Sequence, residues 1–397
     1  MLSRLYPLTK EKSLEERVQS RDAYIYLERA MWVFGWTEPN NKRWKLFYKL
    51  WMFFTTFVIN VLVPLAMVAE YVHSFSSFSV GEFLSSLQIC INMFGCSLKC
   101  AFINLGYPKF QEAKRVLDKL DESCQRDEEK IGVRRYVAWG NLCFAIYHIL
   151  FSFSVVVNGA GFMLIGRHAW RMYFPFISPD ENFLLTNFFE CFLMGSVVGM
   201  ELCTDVSALI YMLMGRCHIT LLRNRLSTLR MDSDKSEKHH DLELTKCIQI
   251  HRLILDYFDV LRPVLSRSIF VQFLLIGVVL GLSAINVMFF TTFWTGIGTF
   301  SFMLGVSLET FPFCHLCDVI IDDSRKLSDS LFHSNWFTAD RRYKTTLVYF
   351  LHNLQQPITL TAGGVFPICS KTNLAMVKLA FSVVTVIKQF NFAEMFH

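Results

Sequence analysis

Few residues of this chain invite chemistry, and the most conspicuous lie in apolar surroundings. Lys99, Glu201 and Asp205 each fall inside a stretch otherwise long and apolar enough to cross a bilayer. A charged side chain at the bilayer centre costs roughly 2.5–3.5 kcal/mol on insertion scales, so such groups pair with one another or face water. One cation and two carboxylates are the makings of a structural ion pair or of a polar vestibule. Cys314-His315-Leu316-Cys317 resembles half a metal site, but no second pair follows at finger spacing, so no metal is expected. The chain has no His-Glu-x-x-His, no Gly-x-Ser-x-Gly and no phosphate loop, so neither an enzyme nor a cofactor is expected.

The elements that must hold these groups follow from composition. Apolar residues make up 53% of the 397 and charged residues 18%, below the quarter usual in soluble domains. Phenylalanine occurs 39 times, too often for a water-soluble core of this size. The expected fold class is an all-α membrane protein with seven transmembrane helices, at about 50–69, 83–107, 136–166, 183–215, 268–294, 298–321 and 373–391, forming a single domain over 1–397. Residues 268–308 carry no charge, which suits two spans in a tight hairpin turning at Thr295-Gly296-Ile297-Gly298 beside Trp294. Gly195-x-x-x-Gly199 and Gly277-x-x-x-Gly281 would allow close helix contact.

Orientation follows from the loops. One alternating set holds 34 Lys and Arg, the other two, Arg167 and Arg171. Cationic residues stay on the cytoplasmic side, so the N-terminus is expected inside and the C-terminus outside, in a multi-pass protein of the plasma membrane. The 12 cysteines lack framework spacing and read as buried hydrophobes or reduced thiols. The net charge of +5 is explained by orientation, and no nucleic-acid module is recognisable.

Several patterns point to work. The outer halves of the helices are rich in aromatic residues and methionine, and Met93, Phe94, Tyr147, His148, Phe151, Phe189, Leu193, Met194 and Val197 could line a site for a small, mostly apolar ligand. Cys247, Ile250, Ile254, Tyr257, Leu261 and Val264 follow a 3-4 spacing on an amphipathic cytosolic helix, a stripe that packs within the chain or meets another subunit. A further cytosolic helix is expected over 338–356 with Thr338 as its cap, ahead of a break at Gly363-Gly364. The last span is short, carries Lys378 and Lys388, and suits a position shielded from lipid. Its Val383, Val386, Gln389 and Phe390 could alternate apolar constriction and polar ring along a pore.

The whole chain resembles the insect odorant receptors, and within them the drosophilid fruit-ester group. The resemblance is carried by Phe270-Val271-Gln272-Phe273-Leu274-Leu275-Ile276-Gly277, Glu309-Thr310-Phe311-Pro312-Phe313-Cys314, and Leu354-Gln355-Gln356-Pro357 followed by Thr361-Ala362-Gly363-Gly364. Phe34-Gly35-Trp36 and Leu331-Phe332-x-Ser334-x-Trp336 also look like the family. It implies a ligand-gated, non-selective cation channel in which a tuning subunit joins a common co-receptor in a heterotetramer. It also implies that the last helix lines the pore, with Val386 at the apolar gate and Gln389 at the polar ring. The cytosolic ends of helices four to seven, here about 216–267 and 322–372, would form the anchor between subunits. The chain lacks the co-receptor's long insertion, which implies a tuning subunit for small volatile odorants such as esters, in an olfactory sensory neuron dendrite. Related gustatory receptors end in Thr-Tyr, five apolar residues and Gln-Phe. Here Ser382-Val383 replaces Thr-Tyr, which favours the odorant over the gustatory-type channel. Asp340-Arg341-Arg342-Tyr343 looks like the Asp-Arg-Tyr signature of G-protein-coupled receptors but follows the sixth span, and the loop charges oppose that orientation.

Overall fold

The computed structural model describes residues 5–13, 15–37, 42–175, 182–232, 235–291 and 293–389; the side chains of 42, 293–295, 383 and 386–389 are outside the description. The architecture is all-α, with one two-residue β-hairpin. A short helix α1 (Ile25–Val33) precedes the long elements. Helix α2 runs through Lys45–Ser77 with a π-turn at Val58–Leu62 and Pro64 just beyond it. Then come α3 (Val80–Ser123), α4 (Asp127–Leu164), α5 (Phe183–Ser227), α6 (Glu237–Phe289), α7 (Phe293–Phe332), the short α8 (Arg341–Leu354) and α9 (Ser370–Gln389). Helices α2 to α7 are long and apolar enough to span a bilayer, and the 20 residues of α9 make a seventh element of membrane length.

These helices outrun a bilayer. An α-helix rises about 1.5 Å per residue, so the 53 residues of α6 extend far past a hydrocarbon core of about 30 Å. The excess collects at the end carrying the Lys- and Arg-rich segments, hereafter the basic end. Apolar side chains turned outward on α2 and α4, among them Phe53 at 69% and Phe153 at 66% exposure, form the surface a lipid would cover.

Three expectations change in detail. Helix α6 ends at Phe289 and α7 starts at Phe293, so Gly296 and Gly298 lie in the first turns of α7. Helix α8 starts at Arg341, and its cap is Asp340, whose carboxylate accepts from the Tyr343 N–H at 2.8 Å, in place of Thr338. The tightest glycine contacts also sit elsewhere. A methyl group on Gly95 or Gly106 of α3 would meet Leu275 or Val264 of α6 at 2.2 and 2.6 Å, whereas Gly277 has open space around it.

The expected Gly-rich break is a hairpin of Thr361–Ala362 with Phe366–Pro367, turned by Gly363 and Gly364 at φ +59° and +73°. It lies on α6, where the Gly363 N–H donates to the Ser266 carbonyl at 3.0 Å. From there α9 returns into the bundle and buries Ala380 with Ile276, Val279, Leu280 and Val306; its Val384 is buried too.

Candidate functional site

At the end opposite the basic one, α2, α3, α4, α5 and the start of α7 enclose a cavity of about 1430 Å³. Met67 and Glu70 of α2, Gln88, Asn92 and Met93 of α3, and Met194, Val197 and Glu201 of α5 face it, with Asn158, Thr299 and Phe302 on its far wall. The 165–175 segment roofs it. Arg171 donates to Glu70 at 3.0 Å and to the Ser77 hydroxyl at 2.6 Å, and its guanidinium lies 4.0 Å over the Phe78 ring. Arg167 pairs with Glu82 at 3.1 Å, and His168 with Glu190 at 3.2 Å. The two cations of the sparse end thus fasten the roof. The Tyr173 N–H closes it against the Ala66 carbonyl at 3.0 Å.

Of the residues expected to bind ligand, Met93, Met194 and Val197 face this cavity, while Phe94, Tyr147, His148, Phe151, Phe189 and Leu193 are not among its lining residues. Phe94 and Phe189 are 47% and 39% exposed on the outer surface of the bundle. The Tyr147 hydroxyl donates to the Leu308 carbonyl at 2.8 Å, and its ring meets Phe151 edge-on. His148 Nδ1 lies 2.6 Å from the Tyr6 hydroxyl, so it holds the N-terminal segment. The rotation of each helix, and the position of each residue along it, decide which of the nine meet the cavity.

The cavity floor rests on the charge cluster. Asn92 Nδ2 donates to Glu201 at 3.1 Å. Below it the Lys99 ammonium, 1% exposed, lies 2.9 Å from Asp205, 3.7 Å from Glu201 and 3.8 Å from Glu309, and donates to the Gln272 carbonyl oxygen at 2.6 Å. Gln272 Nε2 in turn donates to Glu309 at 2.6 Å. Four helices, α3, α5, α6 and α7, therefore meet on one ammonium. The three carboxylates have oxygens within 4.8 Å of one another, a spacing that could hold a cation, and Lys99 is the cation they surround. Glu309 and Gln272 were not singled out as site residues, though both stand in the quoted motifs. An acid in the middle of the sixth span was the signal that could have found Glu309.

The stripe Cys247, Ile250, Ile254, Tyr257, Leu261 and Val264 is buried inside the chain itself, each residue at 7% exposure or less. Tyr257 donates to the Tyr211 carbonyl at 2.7 Å, and Val264 packs under Gly106. Within-chain packing accounts for the spacing, so a neighbouring subunit would have to meet a different face. Of the pore candidates, Phe390 lies outside the described residues, as do the side chains of Val383, Val386 and Gln389.

The basic end is braced by ion pairs. Arg216 and Arg223 both reach Asp323 at 2.9 and 3.2 Å, and Arg225 pairs with Glu129. Ser20 donates its N–H and hydroxyl to Asp121 at 2.7 and 2.6 Å, and its hydroxyl lies 3.0 Å from His218 Nε2. Burial pushes Asp121 up to about 6 against those hydrogen bonds. Burial, reinforced by the Arg225 cation, pushes His218 down to about 3.

Residues 79–381 match the family model described as 7tm Odorant receptor. Odorant receptor 22a of Drosophila melanogaster is 62% identical over 396 residues, covering 100% of both chains, and Odorant receptor 22b of the same species is 56% identical with the same coverage. The solved structure of the insect olfactory receptor OR5 from Machilis hrabei in complex with eugenol superposes with a TM-score of 0.73 at 15% identity, covering 94% of this chain and 100% of that one, a likeness of fold.

Proposed function

This chain belongs to the odorant receptor family, a family of multi-pass membrane receptors and not of enzymes, and on that premise we propose that it is the ligand-tuning subunit of a ligand-gated, non-selective cation channel. It assembles with a common co-receptor, keeps its N-terminus in the cytoplasm, and lines the pore with the end of α9, which carries Val383, Val386 and Gln389, and with Phe390, the next residue in the sequence. The basic end is then the cytoplasmic anchor, with its elements at about 216–267 and 322–372. The apolar side chains that α9 turns outward, Leu374, Leu379 and Phe381, are the surface a neighbouring subunit would cover.

The observation that carries the ligand reading is the roofed cavity. It joins methionine and aliphatic walls, Met67, Met93, Met194 and Val197, to a polar floor at Asn92 and Glu201. Such a lining suits a small, neutral volatile with an apolar body and one oxygen function, an ester among them. The bound eugenol in the Machilis receptor, itself a small oxygenated volatile, supports a ligand of this size. Binding favours the open channel through its greater affinity for that state. Contact with Glu201 gives the ligand a route to Lys99, and through it to Gln272 on α6 and Glu309 on α7.

Co-expression with a co-receptor in oocytes tests the proposal. A panel of esters should evoke a fast cation current that needs both subunits. A response that needs G-proteins and carries no such current would overturn it. Tag accessibility in intact and permeabilised cells tests the orientation separately.

A further inference from the structure

We propose that a second, smaller cavity at the basic end binds the phosphate headgroup of an anionic inner-leaflet phospholipid. It measures about 190 Å³ and lies between the N-terminal segment and α4. Its walls are Leu8, Lys10, Lys12, Arg17, Val18, Asp22 and Ile25 on one side and Arg134, Val137, Ala138 and Asn141 on the other. Four cations thus face one carboxylate across a space with room for a phosphate and some of its water.

The cavity is built rather than incidental. Arg134 is only 7% exposed, so its guanidinium is a fixed charge, held by an Nη2 donation to the Glu16 carbonyl at 2.7 Å. Asn141 is fully buried and donates to the Asp22 and Val137 carbonyls at 2.9 and 3.0 Å. Its own carbonyl oxygen has no donor among the described residues, which leaves an acceptor for a headgroup hydroxyl. Asp22, the opposing charge, takes the Gln19 N–H at 2.9 Å. Glu16 pairs with Lys12 at 2.9 Å and Glu11 with Arg135 at 3.3 Å, so these rim acids are engaged. Lys10 and Arg17 line the cavity beside the buried charge of Arg134, and together they make it attractive to an anion.

Depth selects a lipid over a soluble phosphate. Trp139 stands five residues beyond Arg134 on α4, about 7 Å along the axis, and is 41% exposed beside the buried Tyr136. Exposed tryptophan marks the membrane–water interface, which sets the cavity at headgroup level. Basic pockets at this level, on the cytoplasmic side, are sites for anionic headgroups. The choice of leaflet rests on the proposed cytoplasmic N-terminus; the chemistry of the cavity does not.

The test uses the full chain in nanodiscs of phosphatidylcholine, titrated with short-chain phosphatidylinositol bisphosphate and followed by binding and thermal stability. Both faces of a nanodisc are accessible, so a reversed topology, read by tag labelling in cells, fails independently of this assay. Saturable binding with a rise in midpoint is expected. Lys10→Gln with Arg17→Gln, both exposed positions, should weaken binding on the order of twenty-fold, from roughly five-fold per cation. Arg134→Gln should abolish it. Unchanged binding in the double variant would overturn the proposal even if Arg134→Gln fails to fold. Equal competition by soluble inositol trisphosphate would overturn the lipid assignment, and binding no tighter than that of short-chain phosphatidylcholine would overturn the site.

Discussion

Lys99 Nζ lies 2.9 Å from Asp205 Oδ1, with the two side chains 1% and 9% exposed, so α3 and α5 are joined by an ion pair sealed within the bundle. Two more carboxylates stand within 4 Å of the same ammonium. Removing one partner of such a pair strands the others without compensation, which decides the first expectation.

Lys99→Met should be the most damaging single change in the cluster. Breaking a buried pair costs about 3–5 kcal/mol, and here three carboxylates lose their cation. Surface expression and the melting midpoint should both fall steeply. Adding Asp205→Asn should restore part of the loss. A double variant no better than the sum of the two single variants would mean that the residues do not couple.

Glu201→Gln keeps the side-chain shape but removes a charge from the cavity floor. The half-maximal odorant concentration should rise about ten-fold, the equivalent of one charged hydrogen bond, with surface expression retained. Met93→Ala serves as a control for shape alone and should change the rank order of ligands. A Glu201→Gln receptor with unaltered sensitivity would remove the cavity floor from ligand recognition.

Arg171→Ala unfastens the roof from Glu70 and Ser77. The pair is partly exposed, so its contribution is about 1 kcal/mol or less, and the effect should be kinetic. Faster current decay after odorant washout, with little change in stability, is expected. Identical decay in the variant would show that the 165–175 segment does not limit ligand exit.

Asp121 and His218 should give stability opposite pH slopes. Asp121 is raised to about 6 from 3.8, so its contribution is complete below 3.8 and lost as pH rises through 6. His218 is lowered to about 3 from 6.5, so its contribution is complete above 6.5 and lost as pH falls towards 3. Between pH 6 and 4 the two oppose, and the wild type should vary little. His218→Asn should gain stability on acidification over that range, and Asp121→Asn should lose it, each by on the order of 1–2 kcal/mol. Parallel melting curves for the three proteins would refute this.

Gly363→Ala should cost more than Gly364→Ala. Both have positive φ, a strain of about 1 kcal/mol for alanine, but a methyl group on Gly363 would also meet Phe270 at 2.7 Å while Gly364 has open space. Thermal midpoints of the two variants decide it.

The helices and the sidedness of charge were written in the chain itself. Long apolar runs such as 268–308 specify spans because backbone polar groups in lipid must be satisfied within the helix. The 34-to-two split of Lys and Arg between alternating loops needs no structure to be counted. Lys99, Glu201 and Asp205 stood out because charge in a span is costly, and the fold brings all three together. Tertiary structure decided the rest. Which side of a span meets the cavity depends on the rotation of each helix about its axis, so Met93 faces inward while its neighbour Phe94 faces out. The spacing from Cys247 to Val264 marks a buried stripe wherever its partner lies, and only the packed chain identifies that partner as itself. Gln272 joins the cluster because α6 carries it to Lys99 across 173 residues of sequence. No local pattern encodes that meeting, since it arises from the packing of α3 against α6.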